Sequence, residues 1–293
     1  MKVLVTGASG FIGRYLVNKL AELDIELAVL GRTPPEDNAA IEFISADLLA
    51  KPDFYQLFKN RNFTHLIHLA WYAEHGKYWH SSLNLDWVSS TIHLVDSFCQ
   101  AGGTKVVVAG SCAEYNWDFG LCHEDSTPTT PNTLYGHSKD ATRRLVMAIC
   151  KQHNVSCAWA RIFQPYGAGE DPQRLIPSLI AAFRGKRAVF SVNTTAYRDF
   201  IHVSDVASAL VALLTNDTHG VYNISSGAPE KLEDLIILIA KIMDINPSEF
   251  LALSQVNKND PLMIVGNNDK LKSTGWQPAY SLTQGLSNII MNS

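Results

Sequence analysis

The chain contains no run of about 18 consecutive apolar residues, so a membrane-spanning helix is not expected. It has no block of like charge either: 24 basic and 28 acidic residues are interspersed, and the net charge is -4. That balance lacks the electrostatic footprint of a nucleic-acid binder, while a single small anion remains compatible with it. The five cysteines, Cys99, Cys112, Cys122, Cys150 and Cys157, are odd in number and never fall in C-x-x-C spacing. Neither a disulfide framework nor a metal site is expected from such a set, and the thiols read as reduced. No repeat, low-complexity tract or flexible linker interrupts the 293 residues, and no signal segment precedes the first strand-like run, which begins at residue 2. The expectation is a soluble, cytoplasmic chain with one large core, or a core and a dependent lobe, because single cores stop growing near about 250–300 residues.

Against these absences stands a regular alternation. Short runs rich in Val, Ile and Leu occur at 2–7 (KVLVTG), 25–31 (IELAVLG), 41–47 (IEFISAD), 64–70 (THLIHLA), 105–111 (KVVVAGS) and 155–163 (VSCAWARIF). Continuous apolar runs of this length read as strands buried on both faces, the mark of a parallel sheet. Amphipathic segments at 11–22, 82–101 and 133–153 supply crossover helices, which predicts an α/β, doubly wound sheet of Rossmann type. Beyond residue 163 the pattern loosens. A loop and helix are expected in GEDPQRLIPSLIAAFRGK, a strand in YRDFIHV, a helix capped by Ser204 in SDVASALVALLTN, and a strand in GVYNISSG. The expected division is a dinucleotide-binding domain over 1–163, with 197–225 returning to it, and a smaller substrate-binding lobe from 164–196 and 226–293.

Directly after the first strand, TGASGFIGRYLV spaces Gly7, Gly10 and Gly13 three apart. A tight turn, close approach of backbone N–H groups to a pyrophosphate and close helix packing each call for a residue without Cβ, and a helix N-terminus favours the anion. A dinucleotide site is expected; a ligand-free tight turn is the plainer alternative. Cofactor choice falls to the end of the second strand, where an acid would bind ribose hydroxyls and an arginine would accept a 2′-phosphate. AVLGRTPPED offers Arg32 and no acid until Glu36. NADP is therefore favoured over NAD, with an ordinary surface arginine as the alternative. Asp47 reads either as a contact to the adenine amine or as a helix cap.

TLYGHSK places Tyr135 four residues before Lys139. On a helix both leave one face, and a cation there is expected to lower the phenol's pKa. The strand KVVVAGS ends at Ser111, at the sheet edge where doubly wound folds bind ligands, so three polar groups converge. With TGASGFIG at 6–13, ADL at 46–48, HLA at 68–70, GSCAEY at 110–115, YGHSK at 135–139, RIFQPYG at 161–167, RDFIHVSD at 198–205 and GWQPAYSLTQGL at 275–286, the chain resembles the extended short-chain dehydrogenase/reductases, in particular the nucleotide-sugar epimerases, dehydratases and reductases. The resemblance implies Tyr135 as general acid/base, Lys139 as its tuner and ribose ligand, and Ser111 as the holder of the substrate oxygen. It further implies Ser9, Phe11, Ile12, Leu48, Leu69, Ala70 and Phe163 around the cofactor. Trp71, Cys112, Arg174 and Arg198 would then lie around the substrate, with Arg198 clamping the diphosphate unless it pairs with Asp199 or Asp205.

Departures from the family narrow the reaction. Dehydratases carry an acidic pair after the serine or threonine, where this chain has Cys112 and Ala113. The family's epimerase-reductases that make GDP-fucose use a cysteine one position later and a histidine in the later loop, and PYGAGEDPQRLIP has none. Cys112 therefore reads as a small buried hydrophobe. Hydride transfer at one carbon remains. The expectation is an NADPH-dependent reductase of a nucleotide-activated 4-keto-6-deoxyhexose; the alternatives are a 4-epimerase that keeps its cofactor and a non-catalytic NADP-sensing protein. Trp87 stands where the family commonly has an asparagine. The loop WYAEHGKYWH offers Trp71, Tyr72 and Trp79 for stacking on a sugar or for core packing, with His75 and Glu114 as polar candidates or solvated residues. Apolar faces on 86–100 and 133–150 suggest a homodimer.

Overall fold

The computed structural model describes residues 1–35, 41–256 and 260–292. The first half runs β1 (Lys2–Thr6), α1 (Phe11–Ala21), β2 (Glu26–Gly31), β3 (Glu42–Ser45), α2 (Phe54–Phe58), β4 (His65–His68), α3 (Leu83–Gln100), β5 (Lys105–Ser111), β6 (Leu121–Cys122), α4 (Leu134–Gln152) and β7 (Ser156–Ile162). It continues through β8 (Gln164–Tyr166), α5 (Leu175–Phe183), β9 (Tyr197–Arg198), β10 (Phe200–His202), α6 (Val203–Thr215) and β11 (Gly220–Ile224). The last elements are β12 (Glu230–Lys231), α7 (Leu232–Met243), α8 (Ser248–Ala252), β13 (Met263–Gly266), α9 (Asp269–Lys272) and α10 (Leu282–Asn292).

Seven strands form one parallel sheet in the order β11-β7-β5-β4-β1-β2-β3, so the doubly wound reading holds. Alternate side chains explain why the runs are apolar throughout. Val3 and Val5 of β1 and Val107 of β5 join Leu16, Leu20 and Leu210 from α1 and α6. Leu4, Val106 and Val108 face the opposite layer, with Phe58, Phe98 and Val146 from α2, α3 and α4. Burying both faces of each strand removes apolar area from water at roughly 25 cal/mol per Å². The strand order reverses between β1 and β4, which opens a crevice at their carboxyl ends. A separate cluster packs α5, α7 and α10 around Leu179, Ile236, Ile239 and Leu286. Among the described residues no helix is long and apolar enough to cross a membrane.

Two local expectations need correction. YRDFIHV is not one strand: β9 joins a sheet with β12 and β13, while β10 pairs with β8. The break is Asp199, whose buried carboxylate accepts from Ser226 N and Oγ (both 2.7 Å), Gly227 N (3.1 Å) and Gly266 N (3.2 Å). The cap of α6 is His202, whose Nδ1 accepts from Ser204 N at 3.3 Å, so Ser204 lies inside the first turn.

Candidate active site

The glycine cradle is built by contact. Gly7 has φ 75°, and a Cβ there would lie 2.7 Å from the Ala70 amide nitrogen; one on Gly13 would lie 2.1 Å from the Gly7 carbonyl oxygen. Leu69 and Ala70, which close the far side, are held by Thr6 through its carbonyl and hydroxyl. Gly10 caps α1 without a side-chain bond, no acid stands in the first turn, and Ser9 and Gly10 are exposed. The first-turn N–H groups of α1, which point at this exposed end of the helix, suit a pyrophosphate, so the residues present fit a dinucleotide. Phe11 leans edge-on against Tyr15, and Ile12 packs on the core. Arg32 is exposed just beyond β2, and Glu36 lies outside the described residues. Asp47 takes the capping role, accepting from Leu49 N at 3.0 Å, and Leu48 is buried beside it.

The second half of the site forms where β5 meets α4. Ser111 starts a tight turn over Cys112–Glu114, its Oγ accepting from Ala113 N while Glu114 Oε1 accepts from Ser111 N at 2.8 Å. Thr133 caps α4 by accepting from Gly136 N, and a Cβ on Gly136 would sit 2.3 Å from the Ala113 carbonyl oxygen. That close approach brings Tyr135, half-buried in the first helical turn, beside Ser111. Lys139 follows one turn later, and its Nζ donates to the Ala109 carbonyl at 2.9 Å.

Here the electrostatics differ from the sequence expectation. Burial raises the Tyr135 pKa above its ordinary value; the neighbouring Ser111 hydroxyl is the largest opposing effect, and Arg174 also lowers it. Lys139 stands 3.8 Å from the centre of the Trp71 ring and 6.0 Å from that of Tyr135, and burial brings its own pKa down to about 7. The ammonium thus spends its charge on a carbonyl and an indole face. His68 bridges Thr6 Oγ1 (2.6 Å) and Thr91 Oγ1 (2.9 Å), and burial takes its pKa down to about 3, so it is neutral.

The aromatic loop after β4 gathers on Tyr135. Tyr78, Trp79 and Trp71 set their rings edge-on to it at 4.8, 5.7 and 6.5 Å, and the Trp79 carbonyl accepts from Tyr135 N. Trp87 stacks on Trp71 at 6.1 Å. Tyr72 turns away to donate to Glu74, and His75 stands partly exposed on the same loop.

Other residues singled out in the sequence are taken up by packing or by pairing. Cys112 and Phe163 are buried in a small cluster with Tyr115, Cys122 and Ile264, and burial pushes the Cys112 thiol up to about 12. Arg198 donates to Asp260 (2.6 Å) and to the Pro261 carbonyl (2.9 Å), so its partner is neither Asp199 nor Asp205.

Three features escaped the sequence reading. Glu114 is fully buried, neither solvated nor free for a sugar: it accepts from Trp159 Nε1 (2.9 Å) and Arg161 Nε (2.8 Å) as well as Ser111 N. The spacing S-x-x-E is a capping-box signal that would have found it. Asn84 is buried too, donating to the Tyr78 and Ser81 carbonyls and accepting from Trp71 Nε1. Arg14 and Tyr15 of α1 hold the Gly169 and Ala168 carbonyls at 3.2 and 3.0 Å, which ties the cradle helix to the loop before α5.

Comparison with known proteins agrees with this construction. A model of the NAD dependent epimerase/dehydratase family matches residues 3–225. CDP-abequose synthase of Salmonella typhimurium is 27% identical over 98% of this chain and 97% of its own length. UDP-glucose 4-epimerase of Streptomyces lividans is 24% identical over 95% of this chain and 92% of its own. The solved structure of MoeE5 in complex with UDP-glucuronic acid and NAD is 28% identical, covers 99% of this chain and 98% of that one, and superposes with a TM-score of 0.85. With the family model spanning every strand of the large sheet, the chain belongs to the NAD dependent epimerase/dehydratase family.

Proposed function

We propose that the protein is an NADPH-dependent reductase of a nucleotide-activated 4-keto-6-deoxyhexose. The observation that carries this reading is the turn after Ser111. Cys112 is buried with its thiol held protonated, Ala113 has no titratable group, and Glu114 is fully buried on Ser111 N, Trp159 and Arg161, so that turn offers no free second acid or base for elimination or for proton shuffling at carbon. Burial of Tyr135 favours the protonated phenol, the form a proton donor needs. When bound, a reduced nicotinamide supplies the hydride to C4. Tyr135 gives its proton to the carbonyl oxygen and Ser111 orients that oxygen until solvent returns the proton, while Lys139, one turn away, is the residue we assign to the nicotinamide ribose. Arg32 is the residue we assign to the 2′-phosphate.

The runner-up is a nucleotide-sugar 4-epimerase, favoured by the UDP-glucose 4-epimerase among the relatives and by the NAD bound to MoeE5. The two readings part on cofactor consumption. Purified protein is offered CDP-, dTDP-, GDP- and UDP-linked 4-keto-6-deoxyhexoses with NADPH or NADH. Loss of nicotinamide absorbance is expected, faster with NADPH, and Arg32→Ala should weaken NADPH more than NADH. Interconversion of 4-epimers without added cofactor would favour the epimerase. Tyr135→Phe is expected to lower turnover by about 10²–10⁴-fold with cofactor affinity intact; unchanged turnover would remove the tyrosine from the mechanism.

A further inference from the structure

We infer that Trp71 is the positioning residue of Lys139: its indole face takes the place of a counter-ion and keeps a charged ammonium at the point where the nicotinamide ribose is received. This role rests on the assignment of Lys139 to that ribose and deepens it.

A buried ammonium needs partners for its charge, and Lys139 has few. It is 4% exposed, its Nζ donates to the Ala109 carbonyl at 2.9 Å, and among the described residues no carboxylate forms an ion pair with it. The titratable groups that face it do not supply the missing charge. Glu114 is the acid whose charge is felt at Lys139, but its carboxylate is held by Ser111 N, Trp159 Nε1 and Arg161 Nε, with Arg143 a further 3.8 Å away. His68 is neutral and both of its ring nitrogens are used by threonines. Tyr135 keeps its phenol protonated, with its ring centre 6.0 Å from Nζ, and Asp140, the next residue along α4, is taken by Arg143 and Arg144.

What remains is the Trp71 ring, centred 3.8 Å from Nζ. An indole face attracts a cation more strongly than any other aromatic side chain does, and it favours the charged form of an amine over the neutral one. Two contacts aim this face. Trp71 Nε1 donates to Asn84 Oδ1 at 2.9 Å, and Asn84 is itself fully buried and anchored to the Tyr78 and Ser81 carbonyls at 2.7 and 2.9 Å. Trp87 stacks on the same ring with its centre 6.1 Å away and 27° between the planes. Turning the indole off Lys139 would deprive the buried Asn84 oxygen of its donor, a cost that holds the ring where it is. Burial brings the Lys139 pKa down to about 7, so its two protonation states lie close at neutral pH, and the ring face tips the balance to the cation.

The test follows the ionisation of Lys139 and does not require turnover. Lysine isotopically labelled at Cε reports its own titration by NMR, and Lys139→Met identifies the signal. Trp71→Leu, which keeps an apolar side chain without an aromatic face, is expected to lower the Lys139 midpoint by at least about one pH unit, and Trp71→Phe to recover about half of that shift. In the parent protein the emission of Trp71, taken as the difference from Trp71→Phe, should change with the same midpoint, a measurement that does not depend on the Leu variant folding. An unmoved midpoint in Trp71→Leu, a Phe variant that behaves as the Leu variant does, or emission indifferent to the Lys139 titration overturns the role. A midpoint that moves as expected while NADPH and NADH affinities, measured by calorimetry, stay at their parent values removes the ribose assignment and leaves the ring as the partner of the charge. The same shift with no cofactor consumption in any assay overturns the reductase reading alone.

Discussion

At the scale of single residues, a carboxylate outside the described machinery carries a measurable pH signature. Glu170 Oε2 is buried without a hydrogen-bond partner, and burial raises its pKa to about 8 against the opposing charge of Arg174. Between the ordinary carboxylate range and about pH 8 the folded chain keeps a proton that the unfolded chain has released, so this group's contribution to stability falls as pH rises through that window. Glu170→Gln removes the charge and is expected to stabilise the protein by about 1–3 kcal/mol at pH 9, with little change at pH 4. Melting curves at both pH values check this, and a difference independent of pH would show that the carboxylate is not held neutral. Glu114 presents the opposite case. Its burial is matched by Arg161, whose guanidinium lies 4.2 Å from the Tyr115 ring centre, and by two N–H donors, so it acts as a fixed strut under Ser111.

At the scale of elements, the docking of α4 on the serine turn decides whether the site exists. Gly136→Ala would gain about 1 kcal/mol of helix propensity. The new Cβ would sit 2.3 Å from the Ala113 carbonyl oxygen and 2.6 Å from Pro131 Cβ, and overpacking typically costs about 1–3 kcal/mol, so the clash wins. The expected result is a lower melting temperature and a loss of turnover of about 100-fold, since Tyr135 is the neighbouring residue. Wild-type turnover in this variant would separate the helix contact from the chemistry. Much of this architecture was legible beforehand. The strands were readable because both faces are buried, and the helices because their apolar faces repeat. What escaped depends on partners distant in sequence. Asp199 breaks YRDFIHV because its donors stand at 226, 227 and 266, and Arg198 is occupied by an aspartate 62 residues away. The aromatic loop was visible as composition, but only the fold puts Tyr78 and Trp79 on Tyr135 and turns Tyr72 aside.

At the scale of the whole molecule, we propose a homodimer formed through α3 and α4. Leu83 and Leu85 on α3 and Leu145 on α4 are exposed on helices whose opposite faces fill the core, and a twofold axis would bury them in pairs. Light scattering should report roughly twice the 32.3 kDa chain mass, and Leu145→Glu should shift it toward one chain. A parent protein of single-chain mass would refute the pairing. The strut beneath Ser111 has a consequence of a different kind, for redesign. Glu114 anchors to β7 through Trp159 and Arg161, whereas Trp79 and Trp117 stand on loops and touch Tyr135 or each other from the outside. Framework and lining are therefore separable. Exchanging the two tryptophans while leaving the strut alone would change what borders Tyr135 without disturbing the turn that holds Ser111.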